Sequence, residues 1–173
     1  QPIRVLNIGA FSFTMGFLDF REIIRELGGR GFEFTFVGPV PPEARTLAAD
    51  LRNLATFIPA QPQDRLPDFY REGDIFLLPT VEDGFPFVLA QASAAGLPIL
   101  TTPNGAGVDL VREGKNGWGL PARSPALFVD RLRWCDSHRA ELADIARQAH
   151  SQYVPRGWED VAADLERFCV ERL

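Results

Sequence analysis

Short, unbroken apolar runs alternate along this chain with segments whose apolar residues recur at helical spacing. Residues 3–8, 32–37, 55–58, 74–78, 98–102 and 117–120 read as strands. Between the first two, Phe17, Phe20, Ile24 and Leu27 repeat at i, i+3, i+7 and i+10, one face of a helix that Gly28 and Gly29 stop. Further helices are expected over 41–54, 66–71, 86–95, 108–113 and from Pro125 to about Trp134. Pro86 fits a first helical turn, and Ser124-Pro125 an N-cap and N1 pair. Ser137 is expected to open the next helix, with Leu142, Ile145, Ala146 and Ala149 on one face, and Trp158, Val161, Leu165 and Phe168 line a last one. Strands that alternate with helices pair in parallel, and strands apolar on both sides are covered on both faces. The expected fold is α/β, a Rossmann-like doubly wound sheet. Ligands of such sheets sit beyond the carboxyl ends of the strands. The loops 9–16, 38–42, 59–63, 79–85 and 103–107 are therefore the ones to search.

A chain of 173 residues is expected to make one domain over 1–173. Its net charge of −5 argues against nucleic acid as a partner. Cys135 and Cys169 sit in helical context and read as packing thiols rather than a disulfide. No apolar run reaches the roughly 18 residues of a membrane span, and no signal peptide is visible, so a cytoplasmic location is expected. The chain opens at Gln1 without Met, almost on a strand, and is expected to be part of a longer protein.

The most informative stretch runs from Leu77 to Thr102, LLPTVEDGFPFVLAQASAAGLPILTT. It resembles the C-terminal, donor-binding domain of retaining GT-B glycosyltransferases, glycosyltransferase family 4. That family ends a strand in Pro-Ser, follows it with Glu-Gly-Phe-Gly, places a second Glu eight residues after the first, and continues Ala-x-Ala-x-Gly-x-Pro-Val. Here stand Pro79-Thr80, Asp83-Gly84-Phe85-Pro86, then Gln91-Ala92-Ser93-Ala94-Ala95-Gly96-Leu97-Pro98-Ile99. Asp109-Leu110-Val111 and Gly114-Lys115-Asn116-Gly117 match a later acidic and Gly-x-x-Gly element. The resemblance covers essentially the whole chain.

It implies transfer of a sugar from a nucleoside-diphosphate sugar to an acceptor with retained configuration. That sugar nucleotide is substrate, and no cofactor or metal is implied. Asp83 takes the place of the first glutamate, on the sugar hydroxyls, with Glu82 beside it as a second catalytic candidate. Gln91 takes the place of the second, on the ribose, and trades a carboxylate for an amide that also donates. Donor contacts are implied for Gly9, Ala10, Ser12, Thr14, Met15, Thr80, Gly84, Phe85, Pro86, Phe87 and Gln91. Acceptor binding belongs to an N-terminal domain of the same protein, absent here, which is also where peripheral membrane association would arise. Alone, the chain should bind and not turn over.

One departure is sharp. The family's first loop carries Gly-Arg and, five residues after the Arg, Lys-Gly, a cation pair for the diphosphate. Ala10 and Met15 occupy those positions, and no Lys or Arg occurs between Arg4 and Arg21. A diphosphate is left with backbone N–H groups, Ser12, Thr14 and the helix start near Gly84. The alternative reading is a glycosyltransferase-like domain with a degraded donor site, serving as a non-catalytic binding or scaffold module. Phe11, Phe13 and Phe17 flank the loop as core residues or as a stacking face. Gly105-Ala106-Gly107 is a lone G-x-G without the rest of a dinucleotide fingerprint. His138 and His150 read as surface or capping residues, no His/Cys/Asp spacing resembles a zinc site, and Arg156, Arg167 and Arg172 read as part of a solvated helix face.

Overall fold

A computed structural model describes residues 1–105 and 107–171. Six strands form one sheet: β1 (Ile3–Ile8), β2 (Phe32–Val37), β3 (Ala55–Ile58), β4 (Ile75–Leu78), β5 (Ile99–Thr101) and β6 (Gly117–Gly119). Their order is β3-β2-β1-β4-β5-β6, and every pairing is parallel. The chain therefore works outward from β1 to one edge, returns, and works outward from β4 to the other. The order reverses between β1 and β4, and doubly wound sheets bind ligands beyond the carboxyl ends at such a reversal.

The strands alternate between two apolar layers. Ile3, Val5, Ile75 and Leu77 pack under α1 (Phe17–Leu27), α2 (Arg45–Asp50) and α6 (Pro125–Ser137). Leu6, Ile8, Phe76 and Leu78 pack under α3 (Leu66–Glu72) and α4 (Phe87–Ala94). Every side chain of β4 is buried, as a central strand of a doubly covered sheet requires. Each of those large side chains contributes about 1.5–3 kcal/mol on burial. Phe11 is core: it lies 5.0 Å from Phe36 and 5.1 Å from Phe57, edge to face with both. Phe17 is core as well, and Phe13 is half-exposed on top of it with ring centroids 4.2 Å apart.

Several expected boundaries move. Pro86 is extended (ψ 101°) and forms the N-cap of α4 rather than its first turn. The 41–54 segment divides into a 3-10 turn at Pro42–Ala44 and α2. A short α5 (Gly107–Leu110) stops before Glu113. Ser124 precedes Pro125 as expected, but its hydroxyl donates back to the Ala122 carbonyl and caps nothing. Ser137 ends α6 instead of opening α7 (Arg139–Gln152): its hydroxyl lies within reach of the Arg133 and Trp134 carbonyls, which need donors at a helix end.

The apolar row of α8 (Trp158–Val170) is exposed, Trp158 most of all. Asp164 of this helix pairs with Arg167, one turn on, and with Arg156, which precedes the helix. Arg172 and Ala106 lie outside the described residues. Cys135 is buried, and burial pushes its thiol pKa up to about 12. Cys169 is exposed on α8 and is no packing thiol. Within the described residues no helix is long and apolar enough to cross a membrane.

Candidate functional site

Two loops meet at the β1/β4 reversal. The loop after β1 turns away at Gly9 (φ 146°), and β2 closes on it so tightly that a Cβ on Gly38 would lie 2.0 Å from the Gly9 carbonyl oxygen. The loop ends at Gly16 (φ 80°), pressed against Pro79 at the end of β4. Only glycine combines that left-handed backbone with such an approach. The Thr14 carbonyl then gathers three donors from the second loop: the N–H of Val81 at 2.8 Å, the N–H of Glu82 at 3.2 Å and the Thr80 hydroxyl at 3.0 Å.

The far side of the second loop is tied as firmly. The Thr102 hydroxyl donates to the Thr80 carbonyl at 2.7 Å, and the Asn104 amide donates to the Val81 carbonyl at 2.9 Å. Beneath them the buried Asn7 amide reaches the Leu77 carbonyl at 2.9 Å and the Thr101 hydroxyl reaches the Leu78 carbonyl at 2.8 Å. Carbonyls of the buried β4 end and of the turn after it thus find side-chain partners, as buried peptide groups must. Asn7, Thr101, Thr102 and Asn104 were not among the expected site residues. Their signal was present, as polar side chains inside or just after otherwise apolar strands.

What the ties leave free defines the site. Asp83 is partly buried, with Gly105 behind it: a Cβ there would stand 3.2 Å from the Asp83 carbonyl oxygen. Glu82 is exposed. Among the described residues neither carboxylate has an ion-pair partner. The backbone N–H groups of Gly84, Phe85, Phe87 and Val88 find no acceptor among the described residues. They stand at the positive end of α4, where an anion gains most. Phe85 and Phe87 are exposed, with rings edge-on at 5.6 Å. Ser12 and Thr14 place their hydroxyl oxygens 3.2 Å apart on the first loop. Ala10 is half-buried, while Met15 packs against the Leu6 and Leu78 layer.

Gln91 is held differently. It lies in the second turn of α4, and its Oε1 accepts from the Tyr70 hydroxyl of α3 at 2.9 Å. It lines a cleft of about 420 Å³ between α3 and α4, with Gln63, Leu66 and Ala94 among its neighbours. The structure therefore joins 14 with 80–82 directly and ties Gln91 to α3. Tyr70 was also missing from the expected residues, and nothing in its helix spacing marked it. Among the described residues no three His, Cys, Asp or Glu side chains converge as a metal site would require.

A family model described as "Glycosyl transferases group 1" matches residues 2–136. The amylovoran biosynthesis glycosyltransferase AmsK of Erwinia amylovora is 28% identical over 148 residues, which are 76% of this chain and 36% of that protein. The chain spans less than half the length of the curated relatives it matches. The fold matches the C-terminal domain of a group 1 glycosyl transferase, LpcC of Francisella tularensis, with a TM-score of 0.74 at 21% identity over 87% of this chain and 84% of that one. It also matches Anabaena HepE, solved in complex with UDP-glucose, with a TM-score of 0.76 at 16% identity over 87% of this chain and 43% of that one.

Proposed function

The chain belongs to the group 1 glycosyl transferases, and from that premise we propose that it is the donor-binding half of a retaining GT-B enzyme. The observation that carries this reading is the pair of loops joined at the β1/β4 reversal. They offer four N–H groups at the start of α4 and a partly buried Asp83, none of which has a partner among the described residues. A nucleoside-diphosphate sugar needs both: N–H donors for a leaving diphosphate, and a carboxylate for sugar hydroxyls.

In this reading the diphosphate lies against residues 84–88, with Ser12 and Thr14 across from it. Asp83 accepts hydrogen bonds from the sugar, strongest as charge develops at the anomeric carbon, while Glu82 adds negative potential to the same rim. The bond from the anomeric carbon to the diphosphate oxygen breaks and its electrons leave with the diphosphate. The acceptor oxygen bonds to the same face of the sugar and passes its proton to the departing diphosphate oxygen. The acceptor and the groups that orient it belong to an N-terminal domain of the whole protein, where membrane association would also reside.

The lack of a cation supports the second reading, a non-catalytic module. Ala10 cannot pair with phosphate, and Met15 is turned into the core. Calorimetry of the chain with UDP, GDP and ADP separates the two. Saturable binding of one of them, tightened by Ala10→Arg more at low salt than at high salt, supports a donor site whose first loop faces the diphosphate. An absence of binding by all three, in parent and variant alike, favours the module.

A further inference from the structure

Tyr70 is the least expected participant near the site. It is 4% exposed and packed against Phe76 with ring centroids 5.8 Å apart, so the ring has one place to be. Its hydroxyl reaches out of α3 to two acceptors on α4, Gln91 Oε1 at 2.9 Å and the Val88 carbonyl at 3.4 Å. A phenol has one proton to give, and the shorter contact is the one to Oε1. Burial pushes the hydroxyl's pKa upward, so it remains a donor across the physiological range. With Oε1 engaged, the two N–H bonds of Nε2 are left, and among the described residues they have no acceptor. Gln91 forms part of the wall of the cleft between α3 and α4, with Leu66 and Pro67 across from it.

We infer that Tyr70 is a positioning residue that sets the polarity of ribose recognition: by occupying Oε1 it makes Gln91 present an N–H donor to the sugar nucleotide, where a carboxylate would present an acceptor. This rests on the donor-site reading above, together with the ribose contact that the family resemblance implies for Gln91. A carboxylate at the same place has only acceptors, so it can bind a ribose hydroxyl only by accepting a hydrogen bond from it. The amide, with its oxygen engaged by Tyr70, donates a hydrogen bond to the hydroxyl oxygen instead. A hydroxyl carries one donor and two acceptor sites, so it satisfies either arrangement. An ether oxygen satisfies only the second.

That difference is the test. The chain and its variants are titrated with UDP, with its 2′- and 3′-O-methyl ethers, and with its 2′- and 3′-deoxy forms. In the parent, removing the oxygen that Gln91 contacts weakens binding roughly two- to tenfold, whereas its methyl ether stays close to UDP. In Gln91→Glu the ether falls to the level of the deoxy form. In Tyr70→Phe, which keeps the packed ring, binding of UDP and of the ether weakens while the deoxy form is unchanged, and adding Gln91→Ala weakens UDP no further than Gln91→Ala alone. A purely structural Tyr70 would instead lower all three ligands together, which overturns the inference. So does a parent in which the ether binds as weakly as the deoxy form although Gln91→Ala weakens UDP. UDP binding that Gln91→Ala leaves untouched overturns this inference and leaves the donor-site reading standing, whereas a parent that binds none of UDP, GDP and ADP overturns both.

Discussion

A Cβ on Gly16 would lie 1.9 Å from the carbonyl oxygen of Pro79. That contact joins the start of α1 to the end of β4 and sets the distance between the two loops that form the candidate site. Gly29 has nearly the same backbone, φ 71° against 80°, but nothing within 4 Å of where its Cβ would stand. The pair separates backbone strain from crowding.

Gly29→Ala is expected to cost about 1–2 kcal/mol, the penalty of a left-handed alanine. Gly16→Ala adds a clash with backbone that cannot swing aside, for roughly 2–5 kcal/mol in total. Urea denaturation of both variants checks this. Equal midpoints would mean that the loops part easily and that the site is not built on their contact.

Acid should loosen the amino ends of the two central strands, β1 and β4. Asp74 accepts from the Arg4 backbone N–H at 2.8 Å and from its guanidinium at 3.0 and 2.7 Å. Partial burial pushes Asp74 upward, but the hydrogen bonds and charge of Arg4 outweigh it and hold the carboxyl below the usual range. A carboxyl depressed by folding stabilises the protein above its unfolded pKa of about 3.9, and that contribution fades as pH falls through the folded value. Parent stability should therefore fall below about pH 4 more steeply than that of Asp74→Asn. Parallel pH profiles would show that the pair adds nothing.

The two residues that replace the family's glutamates should fail in different ways in the whole enzyme. On the proposed reading Asp83→Ala removes contacts to the sugar, so turnover falls while nucleoside-diphosphate affinity changes little. On the same reading Gln91→Ala removes a ribose contact of about 0.5–1.5 kcal/mol and weakens the nucleoside diphosphate in proportion. Transfer kinetics with product inhibition by the nucleoside diphosphate read both. Equal effects on both quantities from each variant would show that the site does not divide along α4.

Much of the scaffold was legible. Residues 3–8, 32–37 and 55–58 are strands with the expected limits, and the 17–27 helix stops where Gly28 and Gly29 stand. Unbroken apolar runs and paired glycines are local signals, and here tertiary structure did not override them. The caps at Ser124 and Ser137 failed because a serine hydroxyl before a helix also finds nearby carbonyls, and sequence does not say which partner wins. The α8 face was visible as a period, but a period gives the width of an apolar stripe and not what it lies against. The 79–85 turn was identified through residues that resemble a known family. What holds it was not: Thr14, Thr102 and Asn104 reach it from 22 to 66 residues away in sequence. Gln91 was picked out, but its orientation depends on Tyr70, 21 residues upstream on another helix.

Amide chemical-shift mapping of the chain with UDP and GDP tests the central claim most directly. The account predicts saturable shifts, for at least one of them, at residues 9–16 and 84–88, the two loops at the β1/β4 reversal. Saturable shifts gathered instead at the amino ends of β1 and β4, around Arg4 and Asp74, or no shifts with either nucleotide, would contradict it.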